Sequence, residues 1–508
     1  MPSSPIQSAK LWLKRLKLRD LLIIIYLAAL FFTNVYRAAT QSITHDEALT
    51  YLWFAQYPWK YLFSVFDANH HVLNTILVKI SISLFGLSEL TMRLPSLLGG
   101  VLYLTSVYRL CNLVFKRSFY LLLAIGLLTL NPFILDFLVA ARGYGLALGF
   151  LIWSIYHIVE FLSGSATSGS KWHILKASLG LALSVSANLA FVYVCAAVAL
   201  MFGLLFLLQP SPKQNLARRL VVLILGFVFP GAVTATLINI GPVSHATSDN
   251  FYAGSATLSQ SVKSILYYSL CHGFSDRVGL LCEPYNQHQT AGVVFTLIIA
   301  ALIAAITVFT IVVRRLRSSA SLSHLIFLNG SFLTCLAVIV AAHLTFGVLY
   351  PRDRTGLFLL PLFAICFCLT AEYLHDFRKK SALLLAPVHL VLLLALVQHA
   401  IQFNLEYFAI WRYDTADKQM FLVLLQQKPE RAPIRVGVNG LFLPSIDFYR
   451  AMYQTDGLET SDDIGPTSSA DYYMLYENDA DRLKNAGKIL KLEYQNDTSN
   501  SRSYRVIR

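Results

Sequence analysis

His71-Val-Leu-Asn-Thr-Ile-Leu-Val-Lys-Ile-Ser-Ile-Ser-Leu-Phe-Gly86 decides the architecture of this 508-residue chain. Eleven other apolar runs, near 20–37, 94–115, 118–135, 143–162, 173–188, 189–209, 219–241, 291–313, 322–346, 355–374 and 381–402, approach or exceed the roughly 20 residues that a membrane-spanning helix needs. The stretch 71–86 is shorter and carries His71, Asn74 and Lys79. Its status sets the side on which every later loop falls. The N-terminal Lys10, Lys14, Arg15, Lys17 and Arg19 place that end inside. If 71–86 does not cross, Lys116/Arg117, Lys171/Lys176, Arg218/Arg219, Arg314/Arg315/Arg317 and Arg378/Lys379/Lys380 all fall inside; if it crosses, all move outside. The first arrangement obeys the positive-inside bias, with 19 basic residues inside and 9 outside before the C-terminal region. The expectation is an α-helical polytopic membrane protein of eleven spans, in which 71–86 is a juxtamembrane helix in the outer interface.

Composition divides the chain in the same place. Only 14% of all residues are charged, where a soluble domain carries about 25%. Residues 403–508 hold 28 charged side chains (13 basic, 15 acidic), and the first 402 hold 28 basic and 13 acidic. The reading is a membrane domain, 1–402, followed by a small extracytoplasmic α/β domain, 403–508. The net charge of +13 belongs to inner loops, so nucleic-acid binding is a poor explanation of it. The run Asp20 to Tyr36 is long enough to span and ten more follow, which favours a retained helix over a cleaved signal peptide. No repeat of 20–50 residues is visible.

Two outer segments, 38–93 and 242–290, are longer than linkers need to be, and such loops tend to be functional. Cys271 and Cys282 lie in the second and could pair as a disulfide, or remain two thiols beneath the loop. Cys111, Cys195, Cys335, Cys366 and Cys368 read as packing residues within spans. In the C-terminal domain, 433–439 and 470–477 read as strands, 445–453 as a helix, and 489–494 with 504–507 as a hairpin. Asp479-Ala-Asp481 matches a D-x-D pattern, but acids opening a short helix are ordinary capping. No G-x-G-x-x-G or G-K-[ST] loop suggests a nucleotide site.

Acids are scarce in the membrane body, and the densest polar cluster opens the first loop: Thr44-His45-Asp46-Glu47, then Asp67-Ala-Asn69-His70-His71. Adjacent carboxylates at a membrane surface need water or a cation. A Thr44-x-x-Glu47 capping box explains Glu47 and leaves Asp46 available for chemistry. His70 and His71 could hold a divalent metal with the acids, although neighbouring histidines point apart in a helix; no other cofactor is indicated. Further clusters are Asn131-Pro132, Asp136 and Arg142-Gly-Tyr144 after span three, and Tyr350-Pro-Arg352-Asp353-Arg354 after span nine. Outer arginines run against the charge bias. They fit either local pairing with Asp353 or a phosphate site.

A long first outer loop opening with Asp46-Glu47, a helix ending Leu84-Phe85-Gly86 before Ser88-Glu89-Leu90, and then Arg93-Leu94-Pro95 together resemble the C-type glycosyltransferases. The layout is similar to bacterial family 39, which includes protein O-mannosyltransferases and the aminoarabinose transferase of lipid A, over roughly residues 20–375. The resemblance implies an inverting transferase of the plasma membrane that moves a sugar from a polyprenyl-phosphate donor to a hydroxyl of a glycan, lipid or protein at the outer face. Asp46 would be the catalytic base, with Glu47 and Asp136 as further acids. Arg142, Arg352 and Arg354 would bind the donor phosphate; Asn69, His70, His71 and Tyr144 would contact donor or acceptor. Asn69-His70-His71 stands where relatives more often carry prolines, which leaves the acceptor open. A transporter or lipid flippase is the alternative, but those place ionisable groups near mid-membrane. A non-catalytic scaffold is the third reading.

Overall fold

The computed structural model describes residues 17–163, 170–208, 215–247, 253–271, 300–301, 303–308, 320–377, 385–426, 433–455 and 457–507. The span expected at 291–313, Cys282 and the clusters Arg314/Arg315/Arg317 and Arg378/Lys379/Lys380 lie wholly or mostly outside these residues.

Among the described residues, seven helices are long and apolar enough to cross a membrane: α1 (Leu18–Thr40), α4 (Glu89–Val114), α6 (Tyr144–Leu162), α7 (Leu189–Leu208), α8 (Leu216–Val243), α10 (Leu322–Phe346) and α11 (Leu359–Asp376). Three shorter apolar helices accompany them: α3 (Val72–Phe85), α5 (Ser118–Thr129) and α12 (Ala386–Ile401). Two short helices used below are α2 (His45–Thr50) and α9 (Leu258–Leu270). α8 makes the solvent plain. Its most apolar 18-residue stretch has a mean hydropathy of 2.4, yet along the helix Leu216, Val221, Leu225, Phe229, Leu237 and Ile240 are all exposed. An apolar surface of that extent needs lipid around it. The chain is an integral, multi-pass membrane protein.

The stretch 71–86 forms the 14-residue α3. α3 starts beside the α6 N-terminus, where the Asn74 amide donates to the Ala141 carbonyl (3.1 Å). It ends where Ser81 Oγ donates to the Thr91 carbonyl, in the first turn of α4 (2.7 Å). Both contacts are with N-terminal ends of long helices on one face, so α3 lies along that face. The opposite end is closed by a polar set of its own: Glu372 accepts from the Lys116 and Arg117 amides, and Arg117 pairs with Asp376. The sequence reading ran span three through residue 135. The helix instead stops at Thr129 and restarts at Pro132–Phe137, because Asn131 caps the second piece through the Phe133 and Ile134 amides.

Close backbone approach joins α4 to α6. A Cβ on Gly99 would lie 2.7 Å from the Gly145 backbone, and one on Gly149 2.5 Å from the Gly99 carbonyl. Small residues at such a crossing let van der Waals packing work where lipid removes the hydrophobic drive.

The C-terminal domain holds a five-stranded sheet, β1 (Ile434–Val438), β2 (Leu458–Ser461), β3 (Tyr472–Tyr476), β4 (Leu490–Asn496) and β5 (Ser501–Val506), in the order β2-β1-β3-β5-β4. β1 is parallel to β2 and β3, while β5 is antiparallel to β3 and β4. α14 (Leu443–Tyr453) supplies the crossover from β1 to β2, after α13 (Asp417–Gln426). The four-residue β2 has no apolar run and escaped the sequence reading. The acids of the D-x-D pattern are engaged locally: Asn439 donates to Asp479 (2.8 Å), and Lys484 pairs with Asp481 (3.2 Å).

This domain is welded to the first loop. Ile43, Ala48 and Ala55 share one core with Phe421, Ile446, Phe448 and Tyr449, and the Tyr449 hydroxyl accepts from the Ile43 amide (2.8 Å). The connecting segment instead belongs to the helical body: Phe408 and Trp411 are buried in its core, with Arg37 and Arg93 stacked over the Phe408 ring.

Candidate functional site

Asp46 and Glu47, adjacent on α2, meet different partners. Thr44 Oγ1 accepts from the Glu47 amide and Glu47 accepts from the Thr44 amide, which completes the capping box. Glu47 also accepts Arg93 Nε (2.9 Å) and Nη2 (2.7 Å) and the Ala141 amide (2.6 Å); both side chains are 0% exposed. Arg93 spends its other hydrogens on the Ala38, Gln41 and Ser42 carbonyls. Glu47 is thus locked into the helix ends. Asp136 is held similarly, between Arg37 (2.5 Å) and the Ala409 amide (2.8 Å). Neither acid lines the cavities at Arg352 and at His70, and nor does Asp46.

Asp46 faces the arginines. Arg354 Nη1 lies 2.6 Å and Arg142 Nη2 3.6 Å from its Oδ2, and the Trp411 indole donates to the same carboxylate. Arg142 Nη1 also reaches the Asp46 carbonyl (3.3 Å), Thr50 Oγ1 (3.3 Å) and the Asn69 carbonyl (3.4 Å), while Asn69 donates to the Asp46 carbonyl (3.3 Å). Burial pushes the Asp46 carboxyl up, but Arg142 and Arg354 outweigh it and hold it below the ordinary range. Arg142 precedes Gly143, whose φ of +75° starts α6 and whose Cβ would strike the Ala187 carbonyl at 2.2 Å. That position is therefore reserved for glycine.

The Arg352 and Arg354 side chains part company. Asp353 between them takes a left-handed φ of +48°; Arg354 stacks over Trp411 and reaches Asp46, whereas Arg352 is half exposed and pairs with Asp353 (3.1 Å). Arg352 lines an open polar cavity of about 580 Å³ with Lys263, Tyr267, Tyr268 and Ser264. A second cavity of about 310 Å³ is walled by His70, His71, Tyr144 and Asn188, with aliphatic Val185, Leu189, Val192 and Leu349. The structure thus gathers Asp46, Asn69, Arg142 and Arg354, and sets His70, His71 and Tyr144 along the wall of the second cavity. Among the described residues, no group of three or more His, Cys, Asp or Glu could hold a metal ion.

The sequence reading passed over a buried acid pair. Asp414 accepts the His45 amide (2.6 Å) one residue from Asp46, and Asp417 accepts Ser445 Oγ of α14. The signal was present, as two acids three apart beside Trp411, but they lay in a segment of ordinary soluble composition. Burial, then the neighbouring carboxylate, pushes Asp414 well above the usual carboxylate range; burial does the same to Asp417. A raised folded-state pKa means stability that is full below the unfolded value and lost as pH rises through the folded one. Asp417→Asn, which keeps an acceptor for Ser445, is expected to reduce that loss, leaving the part that burial of Asp414 causes. Thermal unfolding from pH 5 to 8 would show a flatter profile than wild type; an unchanged slope would assign the pH dependence elsewhere.

Over 95% of this chain and 97% of that chain, the protein is similar to ArnT from Cupriavidus metallidurans bound to undecaprenyl phosphate (12% identity, TM-score 0.42). It is similar to the archaeal oligosaccharyltransferase AglB from Archaeoglobus fulgidus in complex with an inhibitory peptide and a dolichol-phosphate, at 13% identity, TM-score 0.40, covering 84% of this chain and 64% of that chain. The Archaeoglobus fulgidus oligosaccharyltransferase in complex with Zn and sulfate matches at 15% identity, TM-score 0.38, with 83% and 61% covered. No family model and no curated protein matches the chain.

Proposed function

We propose that the protein is a glycosyltransferase that takes a sugar from a polyprenyl-phosphate donor and places it on an acceptor hydroxyl, with the site and the C-terminal domain on the outer side of the plasma membrane. One observation carries the reading. A carboxylate, Asp46, is clamped by two largely buried arginines on the loop face of an apolar helical body, with a polar cavity at the neighbouring Arg352 and Asp353 and a mainly apolar one at His70, His71 and Tyr144.

The clamp has a chemical consequence. A carboxylate paired with Arg354 is a weak base. The donor phosphate, a phosphodiester anion with two free oxygens, takes Arg354 by bidentate hydrogen bonds and releases Asp46 from that partner. With one arginine diverted, burial raises the carboxylate's basicity as the acceptor arrives. The acceptor oxygen then bonds to the anomeric carbon from the side opposite the phosphate, its proton passes to Asp46, and the anomeric C–O bond breaks with its electron pair leaving on the polyprenyl phosphate. The anomeric configuration inverts. Arg354 and Arg142 neutralise charge gathering on the leaving oxygen, and Arg352 with Lys263 forms the approach for the headgroup.

The test is binding of undecaprenyl phosphate to the full-length protein in nanodiscs, alongside transfer. Arg354→Gln is expected to weaken binding about tenfold, the order of one charge-assisted hydrogen bond, and to reduce transfer further. Unchanged affinity would remove Arg354 from the phosphate site.

A further inference from the structure

The smaller cavity carries polar atoms that the fold leaves unused. Among the described residues, His70 Nε2, His71 Nε2 and Asn188 Nδ2 are buried without a hydrogen-bond partner, and all three residues line this one cavity. Their orientations are fixed by other means. The His70 ring stacks on Phe54 at 4.3 Å with an 8° interplanar angle, and its Nδ1 lies 3.3 Å from the Val65 carbonyl. The His71 ring meets Tyr144 edge-on at 5.4 Å. Asn188 Oδ1 accepts the Ala190 amide (3.0 Å), which leaves its Nδ2 hydrogens free to donate. Buried polar atoms of this kind in a rigid wall are expensive unless something meets them.

Their chemistry is selective. Burial lowers His70 to about 4 and holds His71 well below its ordinary value, so both rings are neutral at pH 7. A carbonyl at His70 Nδ1 requires the proton there, which leaves Nε2 a bare acceptor. A phosphate offers only acceptors at that nitrogen and meets no cation among the residues of this wall, which also includes Asp67. An ammonium has no lone pair for Asn188 Nδ2. A hydroxyl is the group that suits either atom, able to donate at His70 Nε2 and to accept at Asn188 Nδ2, and the aliphatic remainder of the wall suits an apolar body behind it.

We propose that this cavity seats the acceptor as a neutral, hydroxyl-bearing group with an apolar face, and that anions are turned away from it towards Arg354 and Arg352. The inference rests on the transferase reading. It adds that His70 and Asn188 choose the acceptor while Asp46 performs the chemistry. The cavity wall is next in the chain to the carboxylate's surroundings: Asn69, beside His70, donates to the Asp46 backbone carbonyl, and Tyr144 and Thr355 of the wall stand within two residues of Arg142 and Arg354.

The test uses the full-length protein in nanodiscs and two photoreactive probes: a medium-chain diazirine alcohol and its phosphate monoester. Labelled peptides are mapped by mass spectrometry. The alcohol is expected to label 66–71 and 185–193. Asn188→Asp keeps the acceptor that caps Ala190 but removes the donor, and His70→Phe keeps the ring stack but removes Nε2. Each should reduce alcohol labelling about tenfold, the order of one buried hydrogen bond. Phosphate labelling near Arg352 should be unchanged in both, which also reports an intact fold. Equal labelling of this wall by the phosphate, or undiminished alcohol labelling in both variants, would overturn the proposal. Because labelling needs no turnover, that failure is separate from failure of the transferase reading, which would show as no sugar transfer by the wild-type protein from a polyprenyl-phosphate donor.

Discussion

Asp46→Asn is expected to lower sugar transfer from a lipid-linked donor about a thousandfold, within the range that general-base removal produces. The substitution is nearly isosteric, and the α2 capping box belongs to Thr44 and Glu47, so the fold should persist. Transfer alone would not separate a lost base from a displaced arginine. Affinity for undecaprenyl phosphate does. In the wild type, Asp46 competes with the donor phosphate for Arg354, which it holds at 2.6 Å. Asparagine competes far less, so the variant should bind the lipid phosphate more tightly while transferring almost nothing. Weaker binding together with lost transfer would mean that Asp46 serves to position the arginines. Full transfer would show that another group is the base.

The helical membrane body was legible because long apolar runs can be read without any tertiary contact. The stretch 71–86 stood apart by its length and its polar residues, and it forms the 14-residue α3 between the ends of α4 and α6. The end of α5 was less legible: Asn131-Pro132 was noticed as a polar cluster, but an apolar count runs straight through a cap. At the site, local chemistry told Glu47 from Asp46, since the capping box is a spacing of three residues. What sequence could not supply was partnership at a distance. Arg93 lies 46 positions from Glu47, Arg354 more than 300 from Asp46, and the Asp414–Asp417 pair reaches the site only because the segment beyond α12 folds back under the first loop. Arg352 and Arg354 differ for a backbone reason, the left-handed turn at Asp353 between them, which sends the two arginines into different surroundings.

Glu47→Ala is expected to be the most damaging single change to stability, at about 3–5 kcal/mol, because it leaves a buried guanidinium without its counterion. Arg93 has no exposed side-chain surface, so water cannot replace the two carboxylate contacts, and the Thr44 and Ala141 amides lose their acceptor at the same time. Glu47→Gln keeps one acceptor and the shape of the site, and should lose less. Burial works against the Glu47 carboxylate and Arg93 more than offsets it, so its folded-state pKa lies below the ordinary range. The stabilisation is therefore present above the unfolded-state pKa and fades as pH falls through the folded one. Thermal unfolding of the purified protein should show a large drop for Glu47→Ala at pH 7, and a smaller difference from wild type under strong acid, where wild-type Glu47 is itself protonated. If the alanine variant melted like wild type at pH 7, the ion pair would not be what fixes α2. The reason for Asp46 to face the arginines, and not the helix ends, would then have to lie in the Asp414 contact to His45 instead.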